Sequence, residues 1–360
     1  MKVTPINGLG SYGVYIDDID MDHMTLDQWN EIGKIFIQEL VVVMRNIKIT
    51  KAQYVDWIQK WGIFKNDISP KLIKKYGTVP DSLDPSTWDN LSDEDRRWVS
   101  YRQHMLEETG DGRYIVRIHP GRTADGKPTG YFSEGDLGWH NNESSSLTFT
   151  PCVSLLGWED MNNSATCFVQ SVDAYENLPS GIRSEIEDMV TVHKFEPGRV
   201  NQREVDDHDL AEQLRWHFCP QDGVETPLVC TGTNNRKGLH YCMNTRYGIK
   251  GTSQQESQKI FNMLDRIFMD EKYIYDHWYS DQGNTLCLFD NSVTMHRRIG
   301  GHGNRKAFRC QFDPSPLLDH PYAPWQNSPT YHRQYVDLMH EFVNTMGGKY
   351  PERVKIPVLS

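Results

Sequence analysis

No Cys-x-x-Cys pair occurs in the 360 residues, and the seven cysteines, at 152, 167, 219, 230, 242, 287 and 310, are odd in number. That spacing argues against a disulfide framework and a zinc ribbon. The thiols are expected to be reduced and to pack as small hydrophobes. Long Lys/Arg runs are also lacking, and the formal net charge is −11. Binding a phosphate backbone needs a basic stripe, so no nucleic-acid partner is expected and a small-molecule substrate fits better. There is no run of ~18 apolar residues. The opening MKVTPINGLGSYGVYIDDID has no basic region followed by an apolar stretch. These absences predict a soluble, cytoplasmic protein with no membrane partner. Internal repeats and low-complexity segments are missing as well.

What is present is material for a large core. Hydrophobic residues make up 38% and aromatics 11%, with ten Trp and seventeen Tyr, enough for an aromatic-walled pocket. The length exceeds the ~100–200 residues usual for a domain, yet double-sheet enzymes often run longer as one unit. A single domain over 1–360 is expected. Within it, 65–112 carries Pro70, Pro80 and Pro85 among many charges and reads as an insertion or lid. Residues from about 314 to 360 read as a C-terminal helical extension, with a helix from Pro329 to Met346 capped by Ser328 and stopped by Gly347-Gly348.

Thr25…Gln28 and Thr50…Gln53 are capping boxes, each opening a segment with apolar residues at helical spacing. Leu26, Trp29, Ile32 and Phe36 are expected on one face of the first helix, and Leu40–Met44 is a β-branched run suited to a buried strand. From 113 to about 313 short apolar strands recur between turn signals: 114–118, 153–158, 166–169, 228–230, 239–242, 286–289 and 307–312. That spacing favours a double-sheet jelly roll over a parallel βαβ sheet, interrupted by one helix from Gln254 to Met269.

Two of the fourteen histidines stand out by context: His140 in Gly135-Asp-Leu-Gly-Trp-His-Asn-Asn-Glu143, and His296 in Phe289-Asp-Asn-Ser-Val-Thr-Met-His296. Non-haem Fe(II) oxygenases hold their metal with two neutral imidazoles and one carboxylate on one face, leaving three positions open. On a strand, a His and an acid two residues later point to the same side.

The chain resembles the taurine dioxygenase and 2,4-dichlorophenoxyacetate dioxygenase family of Fe(II)/2-oxoglutarate oxygenases. The resemblance rests on five segments in order: Leu40–Arg45 with Ile49–Gln53 and Trp61–Phe64; Gly138-Trp-His140; Asn163–Phe168 with Ala174–Pro179; Pro227–Cys230 with Arg236–Asn244; and Asp290–His296 followed by Arg305-Lys-Ala-Phe-Arg309. It implies an α+β fold with a double-stranded β-helix (jelly roll) core and flanking helices, of the clavaminate synthase-like kind. It also implies His140 and His296 as iron ligands, and Thr166 with Arg305 as receptors for 2-oxoglutarate. Fe(II), 2-oxoglutarate and O2 would then be the cofactor and co-substrates, with succinate and CO2 released as a C–H bond of a small molecule is oxidised. Relatives often form dimers or tetramers, so a homo-oligomer is compatible.

The arginines make physical sense. A five-carbon diacid tethered to iron at one end presents its other carboxylate deeper, where a bidentate guanidinium is the best receptor. Arg305 takes that place. Arg309, farther along the same strand face, would reach the metal-bound carboxylate or an anionic substrate group. Arg297 and Arg298 are expected to be solvated or acid-paired, and Asp290 to fix its loop by hydrogen bonds. Tyr131, Phe132, Trp139 and the 65–112 segment are expected to line the pocket.

The pattern breaks at one place: the family expects an acid two residues after the first His, and here stands Asn142. Three outcomes stay open: Glu143 through a one-residue bulge, Asn142 through its amide oxygen, or an exogenous anion or water. The last would suit radical halogenation, although halogenating relatives carry a small residue there. A catalytically inactive binding fold and a zinc hydrolase are the rival classes. The hydrolase would want three strong protein ligands.

Overall fold

The computed structural model describes residues 1–61, 63–64, 72, 75–76, 85–111, 114–126, 129–132, 135–146, 149–196, 219–280 and 284–314. The expected helix from Pro329 to Met346 lies outside the described residues, as does most of 65–84.

The first half runs β1 (Lys2–Pro5), β2 (Val14–Asp17), α1 (Leu26–Glu39), β3 (Val41–Ile47), α2 (Lys51–Trp61), β4 (Ile63–Phe64), α3 (Asp93–His104), β5 (Leu106–Glu108) and β6 (Tyr114–Ile118). Next come β7 (Leu137–His140), β8 (Cys152–Glu159), β9 (Ser164–Gln170), α4 (Val172–Glu176), α5 (Ser180–Ile186), β10 (Val190–His193), β11 (Val224–Pro227), β12 (Val229–Thr231), β13 (Lys237–Leu239) and β14 (Arg246–Ile249). The chain continues with α6 (Gln254–Phe268), β15 (Ile274–Trp278), β16 (Asn284–Asp290), β17 (Thr294–Gly300) and β18 (Lys306–Asp313).

Two sheets matter for the site. The larger has nine strands in the order β1-β2-β3-β16-β8-β18-β6-β5, with β4 also pairing to β18. Its pairings are antiparallel except β2 with β3. The smaller is four-stranded, in the order β15-β9-β17-β7. Alternation of side chains along each strand sorts the large sheet into two faces. On one face Val42, Met44, Leu156, Leu286, Leu288, Phe308 and Phe312 pack under α1 and α2. On the other, Val41, Val43, Val153, Cys287, Phe289 and Ala307 meet Phe168 of the small sheet. The far face of the small sheet, through Val169 and Met295, is covered by Phe261, Leu264 and Phe268 of α6.

Helix α1 begins where its chemistry starts it: the Thr25 hydroxyl accepts from the Gln28 N–H, and the Gln28 side chain accepts from the Thr25 N–H. Trp29, Ile32 and Phe36 are buried on the core stripe, but Leu26 is 52% exposed. It occupies the first helical position, outside the buried stripe it was expected to share. The indole rings of Trp29 and Trp57 meet edge to face at 4.0 Å and tie α1 to α2; each such buried side chain contributes about 1.5–3 kcal/mol.

The second expected capping box is present at Thr50 and Gln53. The strand expected over 239–242 ends instead at Leu239. There the Leu239 N–H turns to the Ser171 hydroxyl at 2.7 Å, and the His240 N–H makes one more bond in register, to the Leu228 carbonyl. In the 65–112 segment, Leu72, Leu91, Trp98 and Val99 form a small core of their own, and β5 adds an edge strand to the large sheet. All seven cysteines are free and buried. No helix among the described residues is long and apolar enough to cross a membrane.

Candidate active site

The small sheet turns one face toward the large sheet, and that face carries the singled-out residues. His296 in β17 and His140 at the end of β7 are directly opposite each other in register, and their rings lie 4.2 Å apart between centroids. The next pairing along these two strands joins Arg298 to Leu137. One residue of β17, Arg297, thus lies opposite two of β7, Gly138 and Trp139, so β7 holds one extra residue between Leu137 and His140. The bulge is therefore upstream of His140, not between His140 and Glu143 where one of the three open alternatives required it. Its effect is to turn Leu137 and His140 both inward and Trp139 outward. The Arg297 guanidinium lies 4.6 Å from the centre of the Trp139 ring on that outer face. Trp139 was expected in the pocket wall; it is not there.

The His140 ring is oriented by its own strand: Nδ1–H donates to the Gly138 carbonyl at 2.8 Å. With that tautomer set, Nε2 carries a lone pair. Burial lowers the His140 pKa to about 4, with the Gly138 carbonyl and the Asn142 side chain acting in the opposite direction. His296 is held well below its ordinary range by burial, by His140 and by Arg309, and its Nδ1 is buried without a hydrogen-bond partner. Two adjacent neutral imidazoles with a nitrogen left over fit a divalent transition metal.

Asn142 lines the same cavity as both histidines. Its backbone is gripped by Asn291: the Asn142 N–H donates to Oδ1 at 2.8 Å, and Nδ2 donates to the Asn142 carbonyl at 3.0 Å. Glu143, one residue on, sits in the turn with φ +63°, and its carboxylate lies 3.9 Å from Arg309. It is absent from the cavity lining. Among the described residues, no third His, Cys, Asp or Glu groups with the histidine pair in a way that could hold a metal.

The cavity between the sheets encloses ≈ 570 Å³, its open mouth included. Thr166, Arg298, Arg305, Arg309, Phe132 and Tyr279 are in its wall. Thr166 is the partner of Arg298 in the β9–β17 register, and its hydroxyl is 2.8 Å from that of Tyr279. Arg305 is 1% exposed; its Nε donates to the Gly301 carbonyl at 3.1 Å and its Nη2 to the Phe132 carbonyl at 2.5 Å. Arg309 keeps a buried Nε without a hydrogen-bond partner and lies 5.9 Å from the Tyr131 ring centre.

Arg297 faces Asp276 at 3.7 Å, an acid-paired position like the one expected for it. Arg298 is buried rather than solvated, because it follows His296 by one strand period and shares its inward face. That signal was present in the sequence. Tyr279 lacked one: it lies just past β15, and nothing in its neighbourhood marks it as inward. Asp290 accepts from the Ser292 and Thr233 N–H groups at 2.8 and 2.7 Å and fixes the loop ahead of His296. None of the described residues of 65–112 lines the cavity.

A family model described as "Taurine catabolism dioxygenase TauD, TfdA family" matches residues 3–311. An alkylsulfatase of Acinetobacter baylyi is 24% identical over 142 residues, which are 39% of this chain and 44% of that protein. The chain thus spans less than half the length of that relative. Among solved structures, AAD-2 in complex with Mn(II) and N-oxalylglycine superposes with a TM-score of 0.60 at 18% identity, covering 86% of this chain and 97% of that one. A taurine dioxygenase from Burkholderia xenovorans gives 0.58 at 15% identity, covering 86% and 88%. At these identities the two structures show a shared fold.

Proposed function

The chain belongs to the taurine catabolism dioxygenase TauD, TfdA family, and from that membership we propose that it is an Fe(II)- and 2-oxoglutarate-dependent dioxygenase acting on a C–H bond of a small molecule. The paired sheets are read as a jelly-roll core. The observation that carries the proposal is the register pairing of His140 with His296 inside a cavity whose other wall holds Arg305 and Arg309.

In this reading His140 and His296 hold the iron and Asn142 supplies the third protein position through its amide oxygen. Bound iron, with 2-oxoglutarate and O2, would supply the oxidising chemistry, and the protein supplies position. Arg305 and Thr166 receive the distal carboxylate of 2-oxoglutarate; a buried guanidinium binds it through charge-assisted hydrogen bonds. Arg309 faces the metal end of the cavity and orients an anionic group there. The Gly138 carbonyl keeps the His140 ring in the tautomer that leaves Nε2 for the metal. Ile118, Leu137, Val153, Leu155 and Phe289 exclude water from the space between.

The test is direct. Protein supplied with Fe(II), ascorbate and oxygen should convert 2-oxoglutarate to succinate, followed by NMR, and His296→Ala should reduce the rate to background. Equal rates in the two proteins would sink the enzymatic reading.

A second reading has its own observation, the neutral side chain at 142. With Asn142 beside two neutral imidazoles, an exogenous halide could take the third position, and the product would then be a halogenated substrate. Product masses unchanged between chloride-containing and chloride-free buffer would end that reading.

A further inference from the structure

A row of tyrosine and histidine rings runs from the cavity to the surface through the layer between the two sheets. It begins at Tyr279 in the cavity wall, whose hydroxyl lies 2.8 Å from that of Thr166 and 3.8 Å from Cys287 Sγ. The His277 ring is next, 5.0 Å away between centroids. Tyr275 follows at 6.2 Å, its hydroxyl 3.1 Å from His277 Nδ1. Alternation along β15 puts these rings on one face. Tyr15 of β2 completes the row: its hydroxyl bonds to that of Tyr275, and the two rings meet edge to face at 6.0 Å.

The far end of the row opens to solvent. Tyr15, Arg45, Tyr275 and His277 line a surface groove beside β15, the edge strand of the small sheet, and Tyr275 is half-buried there. A phenol has one proton to donate. With Tyr15 donating to Tyr275, the Tyr275 proton points at His277 Nδ1. The Arg45 guanidinium lies 3.8 Å from the centre of the Tyr15 ring, and a cation held on the ring face opposes loss of an electron from it. An electron therefore leaves more readily from Tyr275, where a base stands ready for the proton.

We propose that Tyr279, His277 and Tyr275 form a one-electron relay that carries an oxidising equivalent from the cavity to the surface groove, where a small reductant of the enediol class, such as ascorbate, removes it. The proposal rests on the co-substrate reading above. When iron, 2-oxoglutarate and O2 react with no substrate in place, Tyr279 gives one electron to the oxidised centre and is refilled by one from Tyr275. Each phenolic proton shifts on oxidation and returns on reduction, that of Tyr275 to His277 Nδ1 and that of Tyr279 to the cavity by way of the Thr166 hydroxyl. His277 has room for the proton, since burial lowers its pKa to about 4 and keeps the ring neutral. Across the row the centre gains one electron, while the reductant loses one electron and one proton, the proton going to solvent. Without such an exit, Met161 in the cavity wall and Cys287 beside Tyr279 are the nearby sulfurs open to oxidation.

The experiment mixes the full chain, loaded with Fe(II) and 2-oxoglutarate, with oxygen in the absence of substrate, and freezes it rapidly for electron paramagnetic resonance. Ring-deuterated tyrosine assigns the signal. Wild type should show a phenoxyl radical that added ascorbate abolishes. Tyr275→Phe should lose the ascorbate-quenched signal and instead gain oxygen at Met161 or Cys287, read by peptide mass spectrometry. His277→Leu, which removes the base, should show the same loss and serves if the phenylalanine variant does not fold. Tyr15→Phe, outside the electron path, should keep the wild-type signal.

Wild type that makes succinate without a phenoxyl signal would overturn the proposal. So would a Tyr275→Phe protein with the wild-type signal and the wild-type response to ascorbate. Absence of succinate from wild type would overturn the co-substrate reading itself. The row is then decided on metal-free protein by light-driven oxidation with a ruthenium tris-bipyridine dye: a radical lost in Tyr275→Phe upholds it, and an equal signal in both proteins ends it.

Discussion

At Asn142 a neutral amide stands where two neutral imidazoles would share a divalent cation, so one added negative charge should be felt strongly. Asn142→Asp is expected to tighten Fe(II) binding by about tenfold or more, since an anionic oxygen is the stronger ligand for a hard dication. Anaerobic titration with a competing chelator measures it. Unchanged affinity would mean that the 142 side chain does not reach the metal. Side-chain direction was the hardest thing to extract from the sequence at this scale. Trp139 and Glu143 are neighbours of cavity residues, yet neither is in the cavity wall. A bulge between Leu137 and His140 turns the first outward, and the second, with φ +63° in the turn, has its carboxylate 3.9 Å from Arg309. Neither event leaves a mark in a pattern of apolar and polar letters. Arg298 was readable, since period-two alternation from His296 assigns it to the inward face.

Elements were easier to read than their junctions. Strands β6, β8, β9, β16 and β18 and helices α1 and α6 lie where hydrophobic pattern and caps place them, because each buries a continuous stripe. The expected strand over 239–242 ends at Leu239, whose N–H makes a tertiary bond to the Ser171 hydroxyl. One such tertiary bond joins three elements. The Tyr54 hydroxyl of α2 lies 2.7 Å from the Ser154 hydroxyl of β8 and accepts from the Cys310 N–H of β18 at 3.1 Å. Burial and its neighbours hold this phenol far above its usual pKa, so it is a neutral partner at all working pH. Tyr54→Phe strips a buried backbone N–H of its acceptor and should cost about 1–3 kcal/mol. Urea denaturation reads this as a lower midpoint with an unchanged slope. A loss below about 0.5 kcal/mol would show that the bond is replaceable.

For the whole molecule, acid should be the weak side. Burial lowers His240 and His277 to about 4, and His193 is lowered well below its ordinary value by burial, His240 and Arg246. Unfolding exposes them to the ordinary value near 6.5, so the unfolded chain binds more protons between the two values. Stability is therefore complete above about pH 6.5 and is lost as pH falls toward 4. Each histidine titrating near 4 accounts for roughly 2 kcal/mol at pH 5. Thermal melts of metal-free protein should show Tm falling steeply across that window; a flat profile from pH 7 to 5 would contradict the buried neutral histidines.

The two walls of the cavity belong to different sheets. His140, His296 and Thr166 ride on the four-stranded sheet, whereas Arg305 and Arg309 come from β18 and its approach in the nine-stranded one. A molecule held by groups from both walls then acts as a rivet that ties one layer to the other. In the loaded protein, the breathing of one layer against the other should be damped. Amide hydrogen exchange in β17 and β18 should slow together when metal and 2-oxoglutarate are both present, and neither alone should do it.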